Sequence, residues 1–492
     1  QFSYWCGDTF LAMKKPIQPL FFACFLPIHL HGFSLSTSPR SNSLSIDIVE
    51  SAIGILEEQC VRNIPMDAVL RRYTKQSTFD SRERDSLREL LLGVSRRQYR
   101  IDWRLREAGL DSTPEHRVIT ALGGGYIEGM GKNYFDELDA SYPWLRSVIA
   151  GSMTLEVEGM DLQTRLECPD WAWPGLKGAY GDERILTKQA RGLQQAAPLD
   201  LRVNTLKCKR RDDALRDIRD AGFRAVPTPW SPIGIRLEQR VPLGKIPGLL
   251  SGIVEPQDEG SQLVAALLDA RPGERVADYC AGTGGKTLQI SAQMQNKGRL
   301  YSLDVDADRL ERGRTRCAKA GVSNVERQAV QADMTRKDKW CKRRKRTLDR
   351  VLVDAPCSGV GSWRRKPDAR RTWAGLNTMD GNSQDEADRG AERLANLLPL
   401  QQHILKRAAR LVKPGGRLVY VTCSLLPEEN ERQIEEFLQG NEGADWHLDP
   451  PRDFCVPFEA GSGDYLRLTP AIHNTDGFFA AVLTRKNVLE SI

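Results

Sequence analysis

The feature that most constrains this chain is a set of apolar runs in its C-terminal half, each leading into an acid or a reactive residue. Val276-Ala277-Asp278, Leu300-Tyr301-Ser302-Leu303-Asp304, Val351-Leu352-Val353-Asp354 and Leu418-Val419-Tyr420-Val421 read as strands. From residue 256 onward they alternate with segments of helical period. Strands this uniformly apolar are covered on both faces, as in a parallel sheet, and ligands of such sheets gather at the carboxyl ends of the strands. The pattern predicts an α/β domain over residues 256–487 whose chemistry lies along one edge.

Ahead of that domain the period changes. Over residues 46–135 it is helical: Ile48, Val49, Ala52, Ile53 and Leu56 recur on one face, and Leu87, Leu90, Leu91 and Val94 form a stripe at i, i+3, i+4, i+7. Asp80 with Glu83 reads as a capping box opening the second of these helices. Its other face and its exit carry Arg82, Arg84, Arg88, Arg96, Arg97 and Arg100, a solvated basic face by default and an RNA-facing one as the second reading. Residues 136–255 are less regular, with Trp171, Trp173 and Pro174 marking loops. Within them Leu201–Asn204 and Gly234–Leu237 read as strands and Asp212–Ala221 as a helix, a small α+β module.

Charge and cysteine usage narrow the function classes. The excess of Lys and Arg over Asp and Glu is 71 − 65 = +6, a mild basic balance that suits a polyanionic partner if it is clustered. None of the eleven cysteines makes a C-x-x-C pair, which argues against a zinc ribbon or finger, so no metal is expected. An odd, scattered set also argues against a disulfide framework and for a reducing compartment.

The first 45 residues read as a leader. From Met13 to Ile46 there is no Asp or Glu; Lys14 and Lys15 precede the apolar stretch 20–26, and a Ser-rich tract follows. A positive start, a short apolar core and an acid-poor tract are signal- or transit-like, and an organellar destination is expected, plastid or mitochondrion. The apolar stretch is far too short to span a bilayer, so the mature protein is expected without stable membrane association. A monomer is expected.

The strand ending at Asp278 runs into Cys280-Ala281-Gly282-Thr283-Gly284-Gly285-Lys286-Thr287, and a helix follows. Glycines let a backbone approach a ligand closely, and a helix start offers free N–H groups. About twenty residues on, the next strand ends at Asp304, where an acid accepts hydrogen bonds from ribose hydroxyls. A P-loop would need glycine where Cys280 stands, and a dinucleotide turn would need G-x-G-x-x-G, which this segment does not complete. S-adenosylmethionine remains, with Asp333 in the place to meet its adenine amino group; the bland alternative for Asp333 is a helix cap.

Two thiols fall on the same edge. Cys357 lies in Asp354-Ala355-Pro356-Cys357-Ser358-Gly359-Val360-Gly361 and Cys423 in Thr422-Cys423-Ser424, just before Pro427-Glu428-Glu429-Asn430-Glu431 opens a helix. Buried structural cysteines are the alternative, but both stand at strand exits beside polar residues. A thiolate added at C6 of a pyrimidine pushes electron density onto C5, which then attacks a sulfonium methyl. Asp354 is placed to hydrogen-bond the pyrimidine edge, and Lys286 to favour a nearby thiolate or anionic intermediate.

On these segments, together with Glu255–Ser261, Pro198–Asn204 and Leu466–Pro470 through Asp476–Phe479, the chain resembles the RNA cytosine-C5 methyltransferases of the RsmB/Sun class, over residues 46 to about 485. The resemblance implies a Rossmann-like class I S-adenosylmethionine-dependent methyltransferase domain, preceded by a small α+β module and an all-helical NusB-like RNA-binding domain. It implies Cys423 as the nucleophile that attacks C6, and Cys357 as the group that assists product release. Cofactor contacts carry over to the backbone of Cys280, Ala281, Gly282, Thr283, Gly284, Gly285 and Lys286, and to Asp304, Arg309, Asp333 and Asp354. RNA contacts are expected at Arg202 and Asn204 and at Arg364, Arg365 and Lys366. Gly282-Thr283 stands where the family usually has Ala-Pro, which removes a rigid proline from the cofactor turn, and the acidic stretch 380–392 reads as a surface insertion. The run from Arg336 to Arg346, eight cations in eleven residues, is a further candidate for holding an RNA backbone. The activity expected is C5 methylation of cytosine in ribosomal RNA; transfer RNA as substrate, or a non-catalytic assembly role, are the alternatives.

Overall fold

The computed structural model describes residues 44–487 apart from 63, 126, 128–137, 139–140, 150–157, 240, 332–337, 374–382 and 451–462. The expected leader, Leu44 and Ser45 excepted, lies outside the described residues. So do Asp333 and the start of the acidic stretch at 380–392. The chain divides into two compact units, one of residues up to 171 together with 366–390, the other of residues 172–365 together with 391–492.

The first unit is helical. Helices Ile46–Arg62, Met66–Gln76, Ser81–Arg96, Gln98–Glu107 and Pro114–Gly123 turn their apolar stripes onto one core containing Ile53, Leu87, Leu91, Ile101 and Val118. Asp80 and Glu83 form the reciprocal capping box at the third helix, which satisfies backbone donors that would otherwise face nothing. Arg82, Arg84 and Arg88 are exposed, but Arg96 and Arg100 are buried and do not belong to a solvated basic face. Arg100 Nε donates to Glu167 Oε1 at 2.7 Å, and Tyr99 N donates to Glu167 Oε2 at 2.9 Å. This buried pair ties the segment before Trp171 to the helical core. The unit therefore ends well beyond the boundary expected at residue 135.

The second unit holds two sheets. The smaller is ordered β2-β3-β1-β4, from β1 (Leu199–Val203), β2 (Ala225–Pro227), β3 (Gly234–Leu237) and β4 (Val254–Pro256), with the helix Arg211–Asp220 covering its core. The larger contains β5 (Arg275–Tyr279), β6 (Arg299–Asp304), β7 (Val325–Ala329), β8 (Leu348–Asp354), β9 (Val412–Thr422), β10 (Trp446–Leu448), β11 (Leu466–Leu468) and β12 (Phe478–Arg485). Its order is β10-β12-β9-β8-β5-β6-β7, with β11 also pairing β12. Strands β5 to β9 are parallel and β12 runs antiparallel to β9, so the sheet is mixed. Val276, Ala277, Val351, Val353, Leu418 and Val421 are fully buried, as strands covered on both faces require.

The strand order reverses between β5 and β8. Crossovers leave these neighbours in opposite directions, which opens a crevice at their carboxyl ends. The segments after β8 and β9 and before β12 converge on that edge at Gly361, whose N–H donates to Cys423 O at 2.9 Å and whose carbonyl accepts from Gly477 N at 2.8 Å. A Cβ at Gly361 would stand 2.3 Å from Gly477 O and 2.7 Å from its Cα, so backbone would have to move. Gly361→Ala is expected to destabilise the unit by about 1–3 kcal/mol, as overpacking does. A denaturant midpoint equal to that of the wild type would refute this close approach.

Candidate active site

The cofactor turn is built by backbone shape. Cys280 (φ +66°), Gly282 (φ +57°) and Gly284 (φ +85°) all take the left-handed conformation, and Gly284 caps the helix Gly285–Gln293. Glycine suits two of these positions because it has no Cβ to clash. Gly282 N donates to Asp304 Oδ2 at 2.8 Å, and Asp306 N donates to Oδ1 at 3.0 Å, so Asp304 is held at the end of β6 facing the turn. Arg309 lies beside it, Nη1 to Oδ2 at 3.9 Å. A Cβ at Gly282 would meet the Arg309 guanidinium at 2.8 Å. Thr283, where the resemblance led us to expect a proline, is fastened by Arg316, which donates to its carbonyl at 3.2 Å and its hydroxyl at 3.0 Å.

These residues fit S-adenosylmethionine. The turn exposes the helix-start amides, with open space at Gly285 and only the Thr287 side chain, 3.7 Å from where a Cβ would stand, at Gly284, and Asp304 offers carboxylate lone pairs beside them. Nothing in the turn has the phosphate-cradling pattern of a nucleotide triphosphate site. Beneath it lies a residue that sequence reasoning placed only as a strand end. Asp278 is fully buried; Thr287 Oγ1 donates to its Oδ2 at 2.6 Å, while Oδ1 has no hydrogen-bond partner among the described residues. Burial pushes the Asp278 carboxyl up to about 7, against the Thr287 hydrogen bond.

Four chemical groups meet at the ends of β5, β8 and β9. Lys286 Nζ donates to Asp354 Oδ2 at 2.7 Å and lies 5.7 Å from the Phe478 ring centroid. Burial alone would lower the Lys286 pKa, but the Asp354 carboxylate more than offsets it and holds the ammonium charged. Cys357 Sγ stands 3.2 Å from Cys423 Sγ and accepts from Cys423 N at 3.3 Å. The Cys357 thiol is raised well above the ordinary range, first by its hydrogen bond to Cys423, then by burial and by the charges of Cys423 and Glu429.

Glu429 is the group whose role was not read from the sequence, where it belonged only to a helix opening. Its buried carboxylate accepts from Ser358 N at 2.7 Å, from Ser358 Oγ, and from Gln401 Nε2 at 3.0 Å. Ser358 Oγ in turn lies 3.3 Å from Ser424 Oγ, which joins the residue after one thiol to the residue after the other. Burial raises the Glu429 pKa, opposed by these donors.

The expected RNA contacts divide. Arg202 and Asn204 are 1% exposed; Arg202 Nε donates to Gln257 Oε1, and Asn204 Nδ2 to the carbonyls of Gly252 and Ala320. Arg364 is fully buried, donating to Asp476 Oδ1 at 2.9 Å and to Asn474. These three are buried and bonded to neighbouring segments, Asn204 and Arg364 to backbone carbonyls among others, so they do not lie on a surface that RNA could reach. Arg365 is half-buried and pairs with Asp258 and Asp476, whereas Lys366 is exposed. In the long basic run Arg344 stacks over Trp340 and Tyr301, while Lys339, Lys342, Arg343 and Lys345 are exposed. Among the described residues no cluster could hold a metal ion, and no helix is long and apolar enough to cross a membrane.

Known proteins match this architecture. A family model described as 16S rRNA methyltransferase RsmB/F matches residues 265–484, and a Methyltr_RsmF/B-like, ferredoxin-like domain matches residues 168–244. The chain is 30% identical over 433 residues to ribosomal RNA small subunit methyltransferase B of Salmonella arizonae, covering 84% of this chain and 92% of that one. It is 29% identical over 464 residues to the probable ribosomal RNA small subunit methyltransferase B of Synechocystis, covering 88% and 98%. A crystal structure of a methyltransferase homolog protein from Pyrococcus horikoshii superposes with a TM-score of 0.51 at 29% identity, over 66% of this chain and 97% of that one.

The buried acid gives a pH prediction. Between about pH 4 and pH 7 the folded protein keeps a proton on Asp278 that the unfolded chain releases, so the stability present at the acid end falls as pH rises through this window. Its steepest slope is about 1.4 kcal/mol per pH unit. Asp278→Asn removes that contribution, and its unfolding free energy relative to wild type should rise from pH 4 to pH 7. Parallel profiles for the two proteins would sink the assignment.

Proposed function

The chain belongs to the RsmB/F family of 16S rRNA methyltransferases, an S-adenosylmethionine-dependent RNA methyltransferase on that ground, and from this premise we propose that it methylates C5 of a cytosine in small-subunit ribosomal RNA through a covalent bond from Cys423 to C6. The observation that carries this reading is the 3.2 Å approach of two thiols at the ends of neighbouring parallel strands, beside a Lys286–Asp354 ion pair. RNA binding alone needs none of these groups. The turn from Cys280 to Lys286 with Asp304 would hold S-adenosylmethionine, which when bound supplies the electrophilic methyl that C5 takes.

The residues divide the work. A cytosine is first taken out of its stack, since its C6 is not reachable within one. Cys423 Sγ adds to C6, and the C5–C6 π pair moves onto C5, which thereby becomes a nucleophile. Asp354, steadied by Lys286, accepts from the exocyclic amine and orients the ring. Until that bond forms the Cys357 proton stays in place, because its hydrogen bond to Cys423 and burial both favour the neutral thiol.

Bond formation reverses that balance. Once Cys423 is a thioether it carries no charge, and its share in keeping Cys357 protonated is removed, while burial and Glu429 remain. Cys357 then gives its proton to solvent more readily and, as thiolate, takes the C5 proton; the C6–S bond breaks as the C5–C6 double bond re-forms, and Cys423 leaves as thiolate. Cys357 is thus the base that lets the nucleophile go.

Cys357→Ala is expected to accumulate a protein–RNA adduct that survives denaturing electrophoresis, with turnover reduced at least a hundredfold. Cys423→Ala should form none. An equal yield of adduct from both variants would reject Cys423 as nucleophile, and bisulfite sequencing of ribosomal RNA with and without the protein, if unchanged, would reject cytosine C5 as the target.

A further inference from the structure

A cavity of about 360 Å³ lies beside the thiols and is not used by the chemistry above. Its floor includes Ser424 and Leu425, the first residues after Cys423, and one wall is Phe478. The same Phe478 ring carries Lys286 Nζ 5.7 Å from its centroid, so a single aromatic ring separates the cavity from the Lys286–Asp354 pair. Tyr180 faces it from the helix Trp173–Tyr180, and Lys188 brings positive charge to its lining, where Arg467 is paired with Glu431, Nε to Oε1 at 2.7 Å.

One polar atom there lacks a counterpart. Thr469 is 1% exposed, and its Oγ1 is buried with no hydrogen-bond partner among the described residues, although its backbone N–H donates to His473 Nδ1 at 3.0 Å. A buried hydroxyl left unpaired is costly, and a small movement of the lining that uncovered Oγ1 would let a ligand atom in the cavity pair with it. The cavity thus combines flat aromatic walls, a hydroxyl without a partner and the Lys188 cation, the chemistry that recognises an unstacked base and its phosphate.

The cation path continues outward. Lys188 also lines a neighbouring hollow of about 780 Å³ together with Arg184 and Arg191, which repeat along one face of the helix Glu183–Gln194 and are exposed. The hollow also holds two acids, the exposed Glu183 and Asp182, which is occupied in capping that helix, accepting from Arg184 N and Ile185 N, so the three cations are in excess. A strand of RNA whose cytosine is held at Cys423 would leave the reactive edge past this cavity and then along this face.

We propose that the cavity between Phe478, Tyr180 and Thr469 is a specificity subsite for the nucleobase next to the target cytosine, with the Arg184, Lys188 and Arg191 face carrying the phosphates beyond it. The proposal rests on the covalent reading above, and its test separates the two. Small-subunit ribosomal RNA transcribed with 4-thiouridine on either side of the methylated cytosine is trapped on the Cys357→Ala protein and irradiated, and the crosslinked peptides are sequenced. Crosslinks from one side are expected in residues 179–189 or 466–479. An adduct that forms while both sides crosslink elsewhere overturns the subsite alone; no adduct at all overturns the covalent reading and the subsite with it. In turnover assays with the unmodified transcript, Ile472→Trp, which fills the cavity, should lower kcat/KM for RNA by about tenfold or more, with the KM for S-adenosylmethionine unchanged. Thr469→Val, which keeps the shape, should cost about threefold or more. A kcat/KM for Thr469→Val equal to wild type overturns the role given to the hydroxyl.

Discussion

The reactive edge depends on a buried carboxylate that takes no part in bond making. Strands β8 and β9 run parallel and pair up to Asp354 with Val421, after which only Ala355 N to Val421 O continues the ladder. Beyond that point nothing in a sheet keeps two outgoing segments together. Glu429 does so, together with the Gly361 N–H bond to Cys423 O: its oxygens collect the amide and hydroxyl of Ser358 and the amide of Gln401, and Ser358 reaches Ser424. The cysteines immediately before those two serines are thereby brought to a sulfur–sulfur distance of 3.2 Å. Burying a carboxylate is costly in itself, and the donors that surround it are what make the arrangement tolerable. Gln401 comes from the long helix Ser383–Ala409 and Glu429 from the turn before the helix Glu431–Gln439, so packing on the sheet is converted into spacing between thiols.

Cations serve the same end elsewhere. Arg364 and Arg365 leave the Cys357 segment and meet Asp476 and Asp258, while Arg236 of β3 makes a bidentate pair with Asp200 and donates to Asn474 O. Asp476 N donates back to Asp258. The small sheet, the segment after the first thiol and the approach to β12 are thus held in one network. Buried ion pairs of this kind add little net stability compared with apolar packing, but breaking one leaves an uncompensated charge. Their effect is to admit a single relative placement of the loops, which is what a site with tolerances below an ångström requires.

Much of this edge was legible because it is written locally. Apolar runs ending in Asp278, Asp304 and Asp354 announce strands whatever they pair with, and Cys357 and Cys423 follow their strands directly. The left-handed turn at Gly282 and Gly284 has its own signature in glycine. What was not legible depends on partners far along the chain. Arg202, Asn204 and Arg364 look like any exposed polar residues until Gln257, Ala320 and Asp476 are folded against them. Glu429 sits in a run of acids suited to a helix start, and only the arrival of Ser358, 71 residues away, distinguishes it from its neighbours Glu428 and Glu431. Arg96 and Arg100 mislead for the same reason, since Glu167 is what draws Arg100 inward.

The one strand that breaks the parallel pattern explains why the reactive edge has aromatic walls. A parallel strand brings only its end to this edge, and the five that do so deliver acids, glycines and thiols. Strand β12 runs the other way, so its beginning arrives there, with Phe479 in register with Thr422. Because side chains alternate across a strand, Phe479 enters the core beneath β8 and β9 while Phe478 falls on the opposite face, beside Lys286 and Leu425. The segment just before it supplies Asp476 to the arginine network and Gly477 to the crossing at Gly361. Reversing a single strand therefore adds what parallel strands alone would not: a flat apolar surface next to the charged and nucleophilic groups, which is the environment that an unstacked base needs on one side and its reacting carbons on the other.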